Sequence, residues 1–154
     1  MSKRLIALLA GVVAIVVVAA GCGSSSGSDS SSLTKAEFIK KADAICSRGE
    51  KSIEDGAEKF AKENNVDTEK PTKAQKEEVI TQVVAPNIRK QGEEISELGA
   101  PSGEDEKVEA IVTAVEEGAD ALEEEPTTLF EGKNPLEHGS KLAKEYGLKV
   151  CGEE

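Results

Sequence analysis

Residues 34–46 read TKAEFIKKADAIC, and this segment carries the start signal and the first apolar positions of a helix. Thr34 and Glu37 have the spacing of a capping box, in which each side chain bonds to the backbone N–H of the other residue. Small and apolar residues then recur every three or four positions, at Ile39, Ala42, Cys46, Gly49, Ile53, Ala57 and Phe60. This spacing is typical of one face of a helix. The segment therefore predicts an amphipathic helix that ends near Asn64 and buries Cys46.

Similar signals downstream predict three further helices. A second capping box, at residues 72–75, begins a helix that ends at Gly99. A third helix spans about residues 102–126 and has the clearest apolar seam in the chain. A fourth begins with Asn134 as its cap and ends at Gly147, a residue type that often closes helices in the left-handed conformation.

Four amphipathic helices with short connections predict an all-α fold, an antiparallel four-helix bundle over residues 34–154. The second helix contains Pro86, which removes one intrahelical hydrogen bond and crowds the carbonyl four residues back. Either the helix kinks at Pro86 or two helices meet there. We expect a kink, because the apolar stripe keeps its phase across the proline. Asn87 and Gln91 interrupt the stripe, and they either satisfy carbonyls that Pro86 frees or line a small polar pocket.

The start of the chain has the layout of a secretory signal peptide. Lys3 and Arg4 are basic, Leu5–Ala20 has no polar side chain, and small residues precede Cys22. A signal that ends on cysteine resembles that of bacterial lipoproteins, in which the cysteine is lipidated and becomes the first residue of the mature protein. We therefore expect residues 1–21 to be removed and Cys22 to carry the lipid.

Residues 22–33 connect this anchor to the helical domain, and they are almost all Ser and Gly. Such a segment buries too little apolar surface to fold, so we expect a flexible tether. The protein is predicted to lie at the extracytoplasmic face of the cell membrane, anchored by its lipid. Two alternatives stay open: secretion without a lipid, and Leu5–Ala20 as an uncleaved single span, for which roughly 17–25 apolar residues are needed.

The chain is strongly acidic, with a formal net charge of −11. Such a surface repels nucleic acid and anionic lipid head groups, and it favours a dissolved monomer. We therefore expect a monomer with no nucleic-acid partner. Aromatic residues make up 3% of the chain and Trp is absent, which disfavours sugar and nucleobase sites because these use aromatic stacking.

Two cysteines remain once Cys22 is assigned to the lipid, and the predicted compartment is oxidising. Cys46 lies on the buried face of the first helix, and Cys151 follows the last helix. A disulfide between them is the favoured interpretation. A redox-active pair usually has two residues between its cysteines, and a zinc site needs about four N or S ligands. The spacing and the single His138 make both alternatives less favourable.

Two of these segments carry a family resemblance. The sequences from Phe38 to Cys46 and from Tyr146 to Cys151, with Pro86 and the corner at residues 98–101, resemble a family of uncharacterised actinobacterial lipoproteins and secreted helical proteins. Members pair an Ala-x-Ala-x-Cys helix with a late Tyr-Gly and Cys. The resemblance implies the helical fold and the disulfide, and it implies no particular activity.

Catalytic and metal chemistry has little support in the sequence. His138 lies one position off the apolar stripe of the fourth helix, and we expect it to be exposed or at the boundary. The acidic runs fall mostly off the apolar stripes, so we expect solvated helix faces, and none matches a calcium-binding loop. No nucleophile–base constellation is present. We predict no catalytic residue, no metal and no cofactor.

Two functional classes remain. The first is a non-catalytic, membrane-anchored binding or interaction module, whose partner is an envelope protein or another ligand. The second is an accessory structural protein of the envelope without a small-molecule ligand. We expect Leu129 and Phe130 to pack against the bundle. A large apolar patch beside Pro86, Leu129 and Phe130 favours the first class, whereas a uniformly charged exterior without a cavity favours the second.

Overall fold

The computed structural model describes residues 32–152, and all regular structure in this range is helical. In chain order the α-helices are α1 (Lys35–Glu63), α2 (Lys73–Val79), α3 (Ala85–Glu97), α4 (Asp105–Glu124) and α5 (Glu137–Tyr146). A 3-10 helix, Thr128–Glu131, lies between α4 and α5. The predicted all-α class is confirmed for these residues. The predicted signal peptide, Cys22 and most of the predicted tether lie outside them.

Both predicted capping boxes form. The Thr34 hydroxyl accepts from the Glu37 N–H at 3.3 Å, and the Thr34 N–H donates to the Glu37 carboxylate at 3.0 Å. Thr72 and Gln75 repeat the pattern at 3.2 and 2.9 Å at the start of α2. Hydrogen bonds from the Thr34 side chain and backbone hold the pKa of Glu37 below its usual value. The sequence thus sets two of the helix starts through local hydrogen bonding.

The helix that contains Pro86 continues through the proline. A π-helical turn, Ile80–Val84, joins α2 to α3 without a break, and the Ala85 N–H donates to the carbonyl of Ile80. Pro86 follows in the first turn of α3, and it is exposed. The Asn87 side-chain amide donates to the Val83 carbonyl at 2.8 Å, so this side chain supplies a donor beside the proline. The wider turn and this added donor accommodate Pro86 within one continuous helical segment.

The predicted start of the fourth helix is wrong by two residues. α5 begins at Glu137, and Asn134 lies in a turn before it instead of capping the helix. The Asn134 side chain accepts from the Leu136 N–H at 3.0 Å, two residues ahead, which is an Asx turn. Asn is common both as a helix N-cap and in Asx turns. Here its side chain forms the Asx turn, and the helix begins after that turn.

The prediction for Leu129 and Phe130 is half right. Leu129 packs against the smaller core cluster, formed by Ile80, Ala85 and Leu122. Phe130 is 51% exposed, and the Lys76 ammonium lies 4.9 Å from its ring centroid. The prediction for Phe130 is therefore wrong, because a cation–π contact at the surface takes the place of burial.

α3 packs against both α1 and α4, and α4 also packs against α5. The larger core cluster joins these helices, and its members are Phe38, Ala42, Ile45, Cys46, Ile95, Val108, Ile111, Val112, Ala143, Tyr146 and Leu148. Phe38 and Tyr146 meet edge to face with their ring centroids 5.8 Å apart. The cluster places the start of α1 beside the end of α5, which is the end of the domain that carries the disulfide.

Two glycines allow close approach between helices. A Cβ on Gly118 would lie 2.6 Å from the Leu136 side chain and 3.1 Å from the Pro135 carbonyl oxygen. A Cβ on Gly49 would overlap the Gln91 side chain, so the glycine leaves room for Gln91 to lie across α1. Small residues at these points therefore bring α4 and α1 close to their neighbours.

Candidate functional site

The C-terminal tail, residues 148–152, follows α5 and lies against α1. Gly147 ends α5 in the left-handed conformation, with a φ of 111°. The Ala143 carbonyl accepts from the N–H groups of Gly147 and Leu148 at 3.1 and 2.9 Å. Leu148 is buried in the larger core cluster. The turn at Gly147 and the burial of Leu148 together direct the tail toward α1.

Asp43 of α1 binds the tail through backbone amides. Its Oδ1 accepts from the N–H groups of Lys149 and Val150, each at 2.9 Å, and from that of Cys151 at 3.4 Å. Its Oδ2 accepts from Lys149 at 3.2 Å. Hydrogen bonds to a carboxylate are stronger than neutral ones. Asp43 therefore fixes three consecutive tail amides beside Cys46.

A disulfide between Cys46 and Cys151 completes the attachment, as the sequence predicted. The two Cα atoms are 5.3 Å apart, within the ordinary range for a disulfide. The two cysteines are 105 residues apart in the sequence, so the bond joins the first helix to the tail that follows the last helix. Within residues 32–152, no group of three or more His, Cys, Asp or Glu side chains could hold a metal ion.

A cavity of about 210 Å³ adjoins this disulfide, and we call it the disulfide cavity. Cys46, Cys151 and Val150 form one wall. The rest comes from α1, α3, α4, α5 and the residue before α5, with its largest apolar side chains from Ile53, Ile88, Ile95, Ile111, Val115 and Leu136. Ile95 and Ile111 are only 2% and 3% exposed. The cavity thus reaches the core of the domain and is mainly apolar.

Three polar side chains also line the disulfide cavity: Glu50 of α1, Gln91 of α3 and Ser140 of α5. Glu50 is exposed, whereas Gln91 and Ser140 are partly buried. The Gln91 amide nitrogen donates to the Asn87 carbonyl at 3.3 Å. Glu50 is the one charged residue in this lining, and no lysine, arginine or histidine takes part in it. The site therefore combines an apolar interior with hydrogen-bonding groups and one carboxylate.

The structure places the other predicted residues as follows. Gln91 lines the disulfide cavity, whereas Asn87 does not, and the Asn87 amide bonds to the Val83 carbonyl in its own helix. His138 is exposed and lies in a surface depression among Glu106, Glu109 and Glu117. Cys22 is outside the described residues. No helix within residues 32–152 is long and apolar enough to cross a membrane.

The Tyr146 hydroxyl is buried and has no hydrogen-bond partner among the described residues. Burial raises the pKa of this phenol, and the negative charge of Glu104 raises it further. The Lys35 ammonium lies 4.1 Å from the ring centroid. The Tyr146 ring packs in the larger core cluster against Phe38.

The chain was compared with protein-family models, curated proteins and solved structures. None of them matches. The resemblance to actinobacterial lipoproteins therefore stays a prediction from short motifs. The geometry around the disulfide provides the basis for a functional proposal.

Sequence reasoning missed three residues of this site: Asp43, Glu50 and Ser140. Asp43 lies three positions before the buried Cys46 on a helix that faces the core. An acidic residue at such a position can indicate an acceptor for backbone amides of a neighbouring segment. Glu50 and Ser140 resemble ordinary surface residues in the sequence. Only the tertiary packing of the helices brings both to one cavity.

Replacing Asp43 should loosen the tail. We expect Asp43→Ala to lower the free energy of unfolding by about 1–3 kcal/mol, because it leaves the tail amides without their acceptor. Denaturant unfolding measures the loss, and hydrogen exchange at residues 149–151 should accelerate. Asp55→Ala is the matched control, since Asp55 forms only an exposed ion pair with Lys51 and should cost about 0.5 kcal/mol or less. Equal losses in the two variants would contradict this role for Asp43.

Proposed function

We propose that the protein is a membrane-anchored extracytoplasmic lipoprotein, and that its helical domain is a non-catalytic module that binds a small apolar molecule in the disulfide cavity. The proposal includes lipidation of Cys22 and a flexible tether over residues 22–33. It also includes an antiparallel four-helix arrangement and a monomeric state. The anchor, the helical arrangement and the binding function each have separate support.

The support for the anchor is in the sequence. Lys3 and Arg4 precede an apolar run, Leu5–Ala20, and small residues lead to Cys22. The diacylglyceryl group of a lipoprotein carries two acyl chains, and two chains anchor a protein stably where one does so only marginally. The acidic domain then needs no membrane-binding surface of its own.

The support for a bundle comes from connections and contacts. α1 contacts α3, α3 contacts α4, and α4 contacts α5, so elements that follow each other in the chain are also neighbours in space. The connection from α3 to α4, residues 98–104, is short, which favours antiparallel packing of these two helices. The Cys46–Cys151 disulfide brings the region after α5 back to α1.

The disulfide cavity is the observation on which the binding function depends. A cavity of about 210 Å³ lined mainly by Ile, Val and Leu side chains can remove the surface of a small apolar molecule from water, which favours binding. An engineered apolar cavity of about 150 Å³ accepts benzene, so a space of this size is large enough for a small apolar molecule. A binding module is therefore favoured over an accessory structural role, for which no cavity is needed.

The anchor is tested by Cys22→Ser, with a tether variant, Ser26→Ala, as the control. We expect the Cys22→Ser protein to leave the membrane fraction or to remain uncleaved, because no thiol can carry the lipid. Fractionation and intact mass measure both outcomes. A cleaved, lipid-free Cys22→Ser protein that stays in the membrane fraction would refute the lipoprotein assignment.

The cavity is tested with toluene, a neutral apolar probe. The chain from residue 22 onward, with Ser at position 22, contains both core clusters and the disulfide. Labelled isoleucine methyl groups report on the site, because Ile53, Ile88, Ile95 and Ile111 line it while Ile39 and Ile80 do not. We expect saturable shifts at the lining isoleucines, with a Kd on the order of 1 mM.

A blocking variant makes this test specific. Ser140 lines the cavity from α5, so Ser140→Phe should fill part of the space and weaken toluene binding at least tenfold. Ser96→Phe places the same side chain at an exposed position of α3 away from the cavity, and it should leave binding unchanged. If toluene causes no saturable shift at the lining isoleucines, or if Ser140→Phe binds it as before, the cavity is not a binding site.

A further inference from the structure

We infer that the disulfide cavity takes a small apolar molecule with a cationic head, an alkyl or aryl ammonium, and discriminates against carboxylates through Glu50. This inference rests on the proposed binding function and adds to it the chemical class of the ligand. It follows from the size of the cavity, from the charges in its lining and from the pairing of the charges around it.

The size of the cavity limits the apolar part of the ligand. Since about 150 Å³ accommodates benzene, a cavity of about 210 Å³ suits a body of about six to ten non-hydrogen atoms. Ile95, Ile111 and Ala143 are nearly fully buried lining residues, so the apolar body belongs at their end. The head of the ligand then belongs beside the exposed Glu50 carboxylate.

The charges of the lining select the head group. Glu50 is the single charged residue in the lining, and the hydrogen-bonding groups near it, Gln91 and Ser140, are neutral. An ammonium head can pair with the carboxylate, while a carboxylate head would meet a like charge with no cation in the lining to offset it. The net charge of −11 for the chain acts in the same direction over longer distances.

Neighbouring basic residues on α1 do not neutralise Glu50. Arg48 is paired with Glu94 at 2.9 Å, and Lys51 is paired with Asp55 at 3.3 Å. Glu50 itself takes part in no ion pair among the residues that the structure describes. Its carboxylate is therefore available to a cationic ligand at the cavity.

Three probes with the same aromatic ring test this inference: benzylamine, which is cationic at neutral pH, benzyl alcohol, and benzoate. Their affinities are measured from the methyl shifts of the four lining isoleucines in the chain from residue 22 onward, with Ser at position 22. Because Glu50 is solvent-exposed, we expect a modest preference. Benzylamine should bind about two- to fivefold more tightly than benzyl alcohol, and benzoate should bind at least twofold more weakly than the alcohol.

Two glutamate variants locate the source of the preference. Glu50→Gln should bring the affinity for benzylamine down to that for benzyl alcohol measured in the same variant. Glu124→Gln changes the net charge equally at an exposed position of α4 outside the lining, and it should preserve the preference.

The outcomes separate this inference from the proposed function. Equal affinities for the three probes, or a preference for the amine that persists in Glu50→Gln, would overturn the role of Glu50 while leaving the cavity a binding site. Saturable binding of none of the three probes would overturn the inference and the proposed function together.

Discussion

The attachment of the C-terminal tail to α1 is the constraint on which the rest of the domain depends. It combines the covalent Cys46–Cys151 bond with the hydrogen bonds from three tail amides to Asp43. Closing a loop of this length stabilises a fold by up to about 4.7 kcal/mol through the lost entropy of the unfolded chain. Since a typical domain is stable by only about 5–15 kcal/mol, one cross-link of this size matters greatly to a small helical core.

The same attachment creates the proposed binding site. Cys46, Val150 and Cys151 supply one wall, and without the tail this side of the cavity would be open to solvent. Branched side chains from α1, α3 and α4 form most of the remainder, and their restricted rotamers limit how far they can move into the space. The covalent bond and the restricted side chains together favour an open space between the helices at this point.

Much of the fold could be predicted from the sequence, because its determinants are local. Capping boxes and the three- to four-residue spacing of apolar residues predict α1 and the continuous helical segment from α2 to α3. The number of cysteines predicts the disulfide. The errors fall where alternatives of similar energy compete: Asn134 forms an Asx turn, and Phe130 lies at the surface under Lys76. The cavity could not be predicted, because it depends on how Glu50 and Ser140, distant in sequence, come together through packing.

The accessibility of the disulfide cavity to an apolar guest is the central claim, and crystals of the chain from residue 22 onward, with Ser at position 22, pressurised with xenon test it most directly. Xenon enters apolar cavities without needing a head group, so the result is independent of charge. We expect one strong xenon peak between Ile95, Ile111 and the Cys46–Cys151 disulfide. Side chains packed into that space, or ordered waters bonded to Gln91 and Ser140 there with no xenon, would contradict it.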